Sequence, residues 1–265
     1  MSSPSNSSPG SQPRQIFSVD NLTVRLYEKS AELARDAGKM AGDYLQEILV
    51  QQGEARVILA TGNSQIPFLE AFTSREIDWS CITFFHLDEY LGIDGNHPAS
   101  FRRYLRDRVE KRVKPAAFHY IEGDAIEPFA ECDRYGQLLL EKPIDLCCLG
   151  IGENGHLAFN EPSVANFADR EAIKLVKLDR ATHQQLVNQG HFPEAESVPK
   201  YAFTLTIPTI CAAKKIICLA PELRKATAVK QMLRGSIAPE MPTSILRSQS
   251  QAILFLDKES ASKLG

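Results

Sequence analysis

The chain has 265 residues, 43% of them hydrophobic and 24% charged, with a formal net charge of -3. That length can bury a substantial core, and mild acidity without a basic block excludes a nucleic-acid footprint. No apolar run approaches the roughly 18 residues of a membrane span, which excludes a membrane protein of that kind.

MSSPSNSSPGSQP opens the sequence, rich in Ser, Pro and Gly and without the apolar centre of a secretory signal. Residues 1–20 are therefore expected to be a disordered tail, residues 21–265 one domain, and the compartment the cytoplasm. Thr23–Glu28 alternates like a strand, and 30–51 carries Leu33, Ala37, Met40 and Leu45 at helical spacing. A repeated grammar follows, in which a short apolar run ends in a polar or Gly-bearing loop and a helix comes next. RVILA (Arg56–Ala60) leads into TGNSQ and a helix from about Pro67, and ITFFHL (Ile82–Leu87) into DEYLGIDGNHP and a helix over Ser100–Val113. IDLCCLG (Ile144–Gly150) leads into IGENGHLAFNEP, and IKLVKL (Ile173–Leu178) into a helix that Asp179 could cap. KIICLA (Lys215–Ala220) leads into PELRKATAVKQML, and AILFLD (Ala252–Asp257) is the last strand. Apolar strands alternating with helices predict an α/β fold: a three-layer, mainly parallel, doubly wound sheet of Rossmann-like type.

In such sheets ligands bind beyond the carboxyl ends of the strands, and four strand ends carry distinctive chemistry. Thr61, Gly62, Asn63 and Ser64 form either a small phosphate cradle at a helix N-terminus or an ordinary turn with hydroxyl caps. Asp88, after an apolar strand, reads as a partly desolvated base or as a loop-starting Asp bonded to its own turn. GIGENGHLAFNEP (Gly150–Pro162) is the strongest signal, with three glycines, His156, two carboxylates and two amides. Its imidazole can move protons near neutral pH, and Asn154 or Glu161 can fix its tautomer. Lys225, beside Arg224, could meet a phosphate or simply face solvent. His86, His97, His119, His183 and His191 lack such settings, with His97 a candidate loop anchor. Cys81, Cys132, Cys147, Cys148, Cys211 and Cys218 have no C-x-x-C spacing and predict reduced thiols; neither they nor His156 suggest a metal site.

In order, ATGNS, FFHLDEYLGI, HPASF, GIGENGHLAFNEP and LRKATAV resemble the glucosamine-6-phosphate deaminases, over Leu22 to Leu256. The 6-phosphogluconolactonases share that fold but typically read DER and GHTASLFP-like at the second and fourth sites. The resemblance implies conversion of glucosamine 6-phosphate and water to fructose 6-phosphate and ammonia. This is amino-sugar and carbohydrate metabolism, within N-acetylglucosamine catabolism, by an isomerase-like enzyme classed as a hydrolase. It implies His156 as the acid/base of ring opening, flanked by Asn154 and Glu161, and Asp88 as the base at C2. Thr61, Gly62, Asn63, Ser64 and Lys225 would hold the phosphate, with Arg180 as a lid contact. No cofactor is implied, because the substrate amine supplies the imine; the partner is a small-molecule amino-sugar phosphate, and the enzyme a possible homo-oligomer. A lactone hydrolase and a non-catalytic sugar-phosphate sensor are the alternatives. The chain departs from many members in carrying Asn154 where they have Asp. After the NEP motif, Asp169 and Glu171 stand among Arg170 and Lys174, an unfavourable setting for an anionic effector.

Overall fold

The computed structural model describes residues 12–178, 180–188, 190 and 192–265; Asp179 and His191 lie outside them. Along the chain run β1 (Gln15–Val19), β2 (Leu22–Tyr27), α1 (Ser30–Gln52), β3 (Ala55–Leu59), α2 (Ile66–Thr73) and β4 (Ile82–His86). Then come β5 (Asp88–Tyr90), α3 (Phe101–Leu105), α4 (Lys111–Val113), β6 (Ala117–Phe118), α5 (Pro128–Leu140), β7 (Leu146–Gly150) and β8 (Ile173–Lys177). The chain continues with α6 (Arg180–Asn188), β9 (Tyr201–Leu205), α7 (Ile207–Cys211), β10 (Lys215–Ala220), α8 (Ala226–Arg234) and β11 (Ala252–Asp257).

The main sheet has the order β1-β2-β11-β10-β7-β3-β4-β6. Every pairing from β2 to β6 is parallel, and only β1 runs antiparallel to its neighbour. Helices cover both faces, as near-continuous apolar strands require. Alternation divides the core between the faces. Val57, Leu59, Cys148 and Phe255 join Leu33, Ala37 and Leu45 of α1 and Phe68 and Phe72 of α2. Ile58, Cys147, Cys218 and Leu254 join Tyr135 and Leu139 of α5 and Val229 and Met232 of α8. Truncating one such fully buried residue, Leu146→Ala for example, costs about 2–5 kcal/mol.

Three expectations change in detail. The ordered body begins before residue 21, because β1 pairs with β2 across a turn at Asp20 and packs Phe17 and Val19 on the core. The helix expected over Ser100–Val113 is divided, with a π-helical stretch at Arg106–Glu110 between α3 and α4. Most consequentially, β8 does not join the parallel sheet. It pairs antiparallel with β9, which pairs antiparallel with β5 to form a separate three-stranded sheet. Ile173 packs on the main core and Val176 in a separate cluster with Tyr90 and Ala202, while Lys177 at the strand's end is exposed.

All six cysteines are free, with Cys147, Cys148 and Cys218 buried. Among the described residues no helix is long and apolar enough to cross a membrane.

Candidate active site

Four neighbouring strands, β10, β7, β3 and β4, end on the same edge of the sheet. One cleft at that edge is lined by Thr61, Gly62, Asn63, Ser64, Asp88, His156 and Lys225, so parallel topology gathers residues from four distant segments. Asn154 and Glu161 are not on its wall but stand behind His156. Arg180 opens α6, and its side chain lies outside the described part of the structure.

Asp88 reaches the cleft because the chain leaves the main sheet at Leu87. The Leu87 N–H still bonds to Leu59 at 3.3 Å, while Asp88 already pairs with Thr204 in the small sheet. The chain thus changes sheet between His86 and Asp88. Asp88 is only 8% exposed. Burial, and then the neighbouring Glu89 charge, push its carboxyl well above the usual Asp range. His86 is structural, as expected: fully buried, it accepts the Ile121 N–H at 2.8 Å through Nε2. Burial pushes its pKa down to about 3.

His156 sits in a tight loop after β7. The Gly152 N–H bonds to the His156 carbonyl at 3.0 Å, folding the loop so that the ring lies over Gly152. A Cβ at Gly152 would stand 2.3 Å from His156 Cε1, so any side chain there must displace the ring. His156 Nδ1 is 2.9 Å from Glu161 Oε1, although the ring is turned so that its N–H is not aligned on that oxygen. Asn154 Nδ2 donates to the other Glu161 oxygen, and Asn154 Oδ1 accepts the His156 N–H at 3.2 Å. Thr182 Oγ1 donates to Glu161 Oε1 at 3.2 Å. Burial alone would raise the Glu161 carboxyl, but the contacts from His156, Asn154 and Thr182 outweigh it and hold it below its ordinary value. The group is an imidazole backed by an ionised carboxylate, able to accept a proton and return it.

The other end of the cleft suits an anion. Gly62 has φ 103°, and its carbonyl accepts the Tyr104 hydroxyl at 2.7 Å, which steadies the Thr61–Ser64 turn ahead of α2. Across from it Lys225 is 6% exposed, and no side chain among the described residues hydrogen-bonds its ammonium. Burial and then Arg224 push its pKa down to about 8. A buried, unpaired cation on a cleft is costly unless a ligand anion completes it. Arg224 is occupied, with Nε on Glu222 at 2.5 Å and Nη1 on Glu153 at 3.2 Å. The turn before Lys225 is anchored from afar: buried Asp257 accepts the Glu222 N–H at 3.1 Å, the Ser30 hydroxyl at 2.5 Å and the Ser260 N–H at 2.8 Å.

Several cleft residues escaped the sequence reading. Thr182 and Leu186 line it from α6; their spacing of four, which puts them on one helix face, was the available signal. Tyr90, Phe101 and Phe159 form an aromatic wall, with Tyr90 4.9 Å from Phe101 and 5.4 Å from Phe159 between ring centres. His97 does anchor its loop, accepting the Ala99 N–H at 3.1 Å through Nδ1.

Comparison with known proteins gives a consistent result. The model of the family described as glucosamine-6-phosphate isomerases/6-phosphogluconolactonase matches residues 28–255. A glucosamine-6-phosphate deaminase from an Exiguobacterium species is 34% identical over 233 residues, covering 88% of this chain and 90% of that one. The solved structure of a monomeric glucosamine-6-phosphate deaminase is 33% identical with a TM-score of 0.82, covering 90% of this chain and 98% of the other. A 6-phosphogluconolactonase from Thermotoga maritima shares the fold at 18% identity, with a TM-score of 0.73 and 89% and 100% coverage. The activity named for the first two relatives is deamination, which overturns the expected classing of this chain as a hydrolase.

Proposed function

The chain belongs to the family of glucosamine-6-phosphate isomerases and 6-phosphogluconolactonases, and from that premise we propose that it is an isomerising deaminase taking glucosamine 6-phosphate to fructose 6-phosphate and ammonia. One observation carries the reading: a buried carboxylate, an imidazole–carboxylate pair and an unpaired buried cation share one cleft.

The phosphate binds at Lys225 and the Thr61–Ser64 turn, which directs the sugar toward Asp88 and His156. His156 opens the pyranose by moving the C1 hydroxyl proton to the ring oxygen, with Glu161 and Asn154 orienting it. Asp88 takes the C2 proton of the open chain, and electrons shift toward C1 to give an enolamine. Reprotonation at C1 leaves a ketose imine, to which water adds before ammonia leaves. Water thus enters only after the proton transfers that define the reaction.

Six free thiols fit the reducing cytoplasm, where we place the enzyme. The test is incubation with glucosamine 6-phosphate. Ammonia and fructose 6-phosphate in equal amounts support the reading; hydrolysis of 6-phosphogluconolactone without ammonia, or binding without turnover, overturns it.

A further inference from the structure

Next to Asp88 lies a second carboxylate that takes no part in the cleft. Glu89 is fully buried, and every group around its oxygens is a donor. Oε1 accepts the N–H of Tyr90 at 2.9 Å and of Phe101 at 3.1 Å. Oε2 accepts the Ser100 hydroxyl at 2.8 Å and the Arg102 N–H at 2.9 Å, with Arg102 Nε at 3.5 Å. Burial raises the Glu89 carboxyl above its ordinary value, and the hydrogen bonds from Arg102, Phe101, Ser100 and Tyr90 work against that rise and favour the ionised form. A third segment seals it: a Cβ at Gly123 would lie 2.4 Å from the Tyr90 carbonyl and 2.9 Å from Glu89 Cγ. Arg102 is held by Asp124 at 2.8 Å and the Ile93 carbonyl at 2.8 Å.

We propose that Glu89 is a positioning residue for the base step: it clamps β5, which carries Asp88, onto the first turn of α3, and keeps a fixed negative charge behind Asp88. The inference rests on the reading of Asp88 as the C2 base. Adjacent residues of an extended strand face opposite ways, so Glu89 acts on Asp88 through a dry interior and through the backbone. The clamp also sets the cleft wall, since Ser100 and Phe101 are at once partners of Glu89 and lining residues. Tyr90 and Tyr135 also feel the Asp88 charge, and His86 feels the backbone of Asp88 and the charge of Arg102. Lys225, Arg224 and His156 line the cleft, and Glu89 does not. Of these groups only Glu89 opposes ionisation of Asp88 by its charge.

The experiment is the pH profile of kcat/KM for ammonia release by the full chain, wild type against Glu89→Gln. Removing the charge makes Asp88 a base at lower pH, so the acid limb moves down by on the order of one pH unit. Loss of the clamp lowers kcat at the optimum by about tenfold or more. A limb that stays put, with only a lowered Tm, overturns the proposal and leaves Glu89 a structural residue. Should that variant fail to fold, Arg102→Gln removes the compensating cation, and the limb must move to higher pH; an unmoved limb again overturns it. Wild type that releases no ammonia at any pH sinks the deaminase reading and this inference with it.

Discussion

Asp88 and His156 face one cleft from strand ends two places apart, and the chain holds them by contrasting means. Asp88 stands in a dry corner between two sheets, with burial as the main influence on its carboxyl. His156 stands on a glycine-rich loop, its side chain 19% exposed, backed by a carboxylate whose own charge is maintained by hydrogen bonds. Desolvation suits a base that must take a proton from carbon, because it strengthens the base at the expense of stability. Hydrogen bonding suits a group that must both accept and return a proton. The off-line His156–Glu161 contact leaves the ring a small rotation to make when substrate arrives, as apo sites often do.

Asp88→Asn breaks the contrast most severely. It should lower kcat by on the order of 10²–10⁴-fold while leaving phosphate-dependent binding nearly intact, measured by turnover and by titration with substrate. The same change should stabilise the fold at neutral pH. With its folded pKa raised, the native state holds the Asp88 proton more tightly than the unfolded chain, so stability is lost as pH rises above about 3.9. Asn carries no such cost, and a gain of about 1 kcal/mol would raise Tm by roughly 2–4 °C. A variant that loses activity and stability together would show that Asp88 is not paid for in this way.

Gly152→Ala attacks the other station. The new methyl would displace the His156 ring, and a misplacement of about 1 Å can cost roughly 10²-fold in kcat; unchanged kcat would mean that the ring position does not matter. Lys225→Ala tests the anion end and should raise KM by about 10–100-fold, the loss of a charge-assisted bond, with less effect on kcat. In the wild type Lys225 is charged below about pH 8 and neutral above it, so KM should climb on the alkaline side; a flat KM to pH 9 would count against the assignment. The smallest effect is expected from Thr182→Val, which removes one donor to Glu161. A fall in kcat of about 2- to 10-fold is expected, and no change would separate α6 from the His156 station.

How much of this was legible in the sequence depends on whether a feature is local. β10 and β11 fall on the residues read from their apolar runs, Lys215–Ala220 and Ala252–Asp257. The Gly-rich loop announced His156 because its unusual residues are consecutive. β9, by contrast, was not seen, although Ser197 and Pro199 punctuate the chain before YAFTL, because it becomes a strand only against β5 and β8. That omission also hid the change of sheet at Leu87 and so the real reason for the burial of Asp88. Lys225 was evenly balanced between surface and site, since burial of a lysine is decided by segments far away in sequence. Glu89 drew no reading of its own, because most of its donors come from residues 100–102.

The anchoring of the phosphate turn by Asp257 bears on biosynthesis. Asp257 lies at the end of β11 and joins Ser30, at the start of α1, to Glu222, three residues before Lys225. A nascent chain can therefore form β3, β4, β7 and β10 and still lack a fixed anion seat until the ribosome has delivered β11. Competence to bind substrate should therefore arise late in translation, once Asp257 can hold the turn.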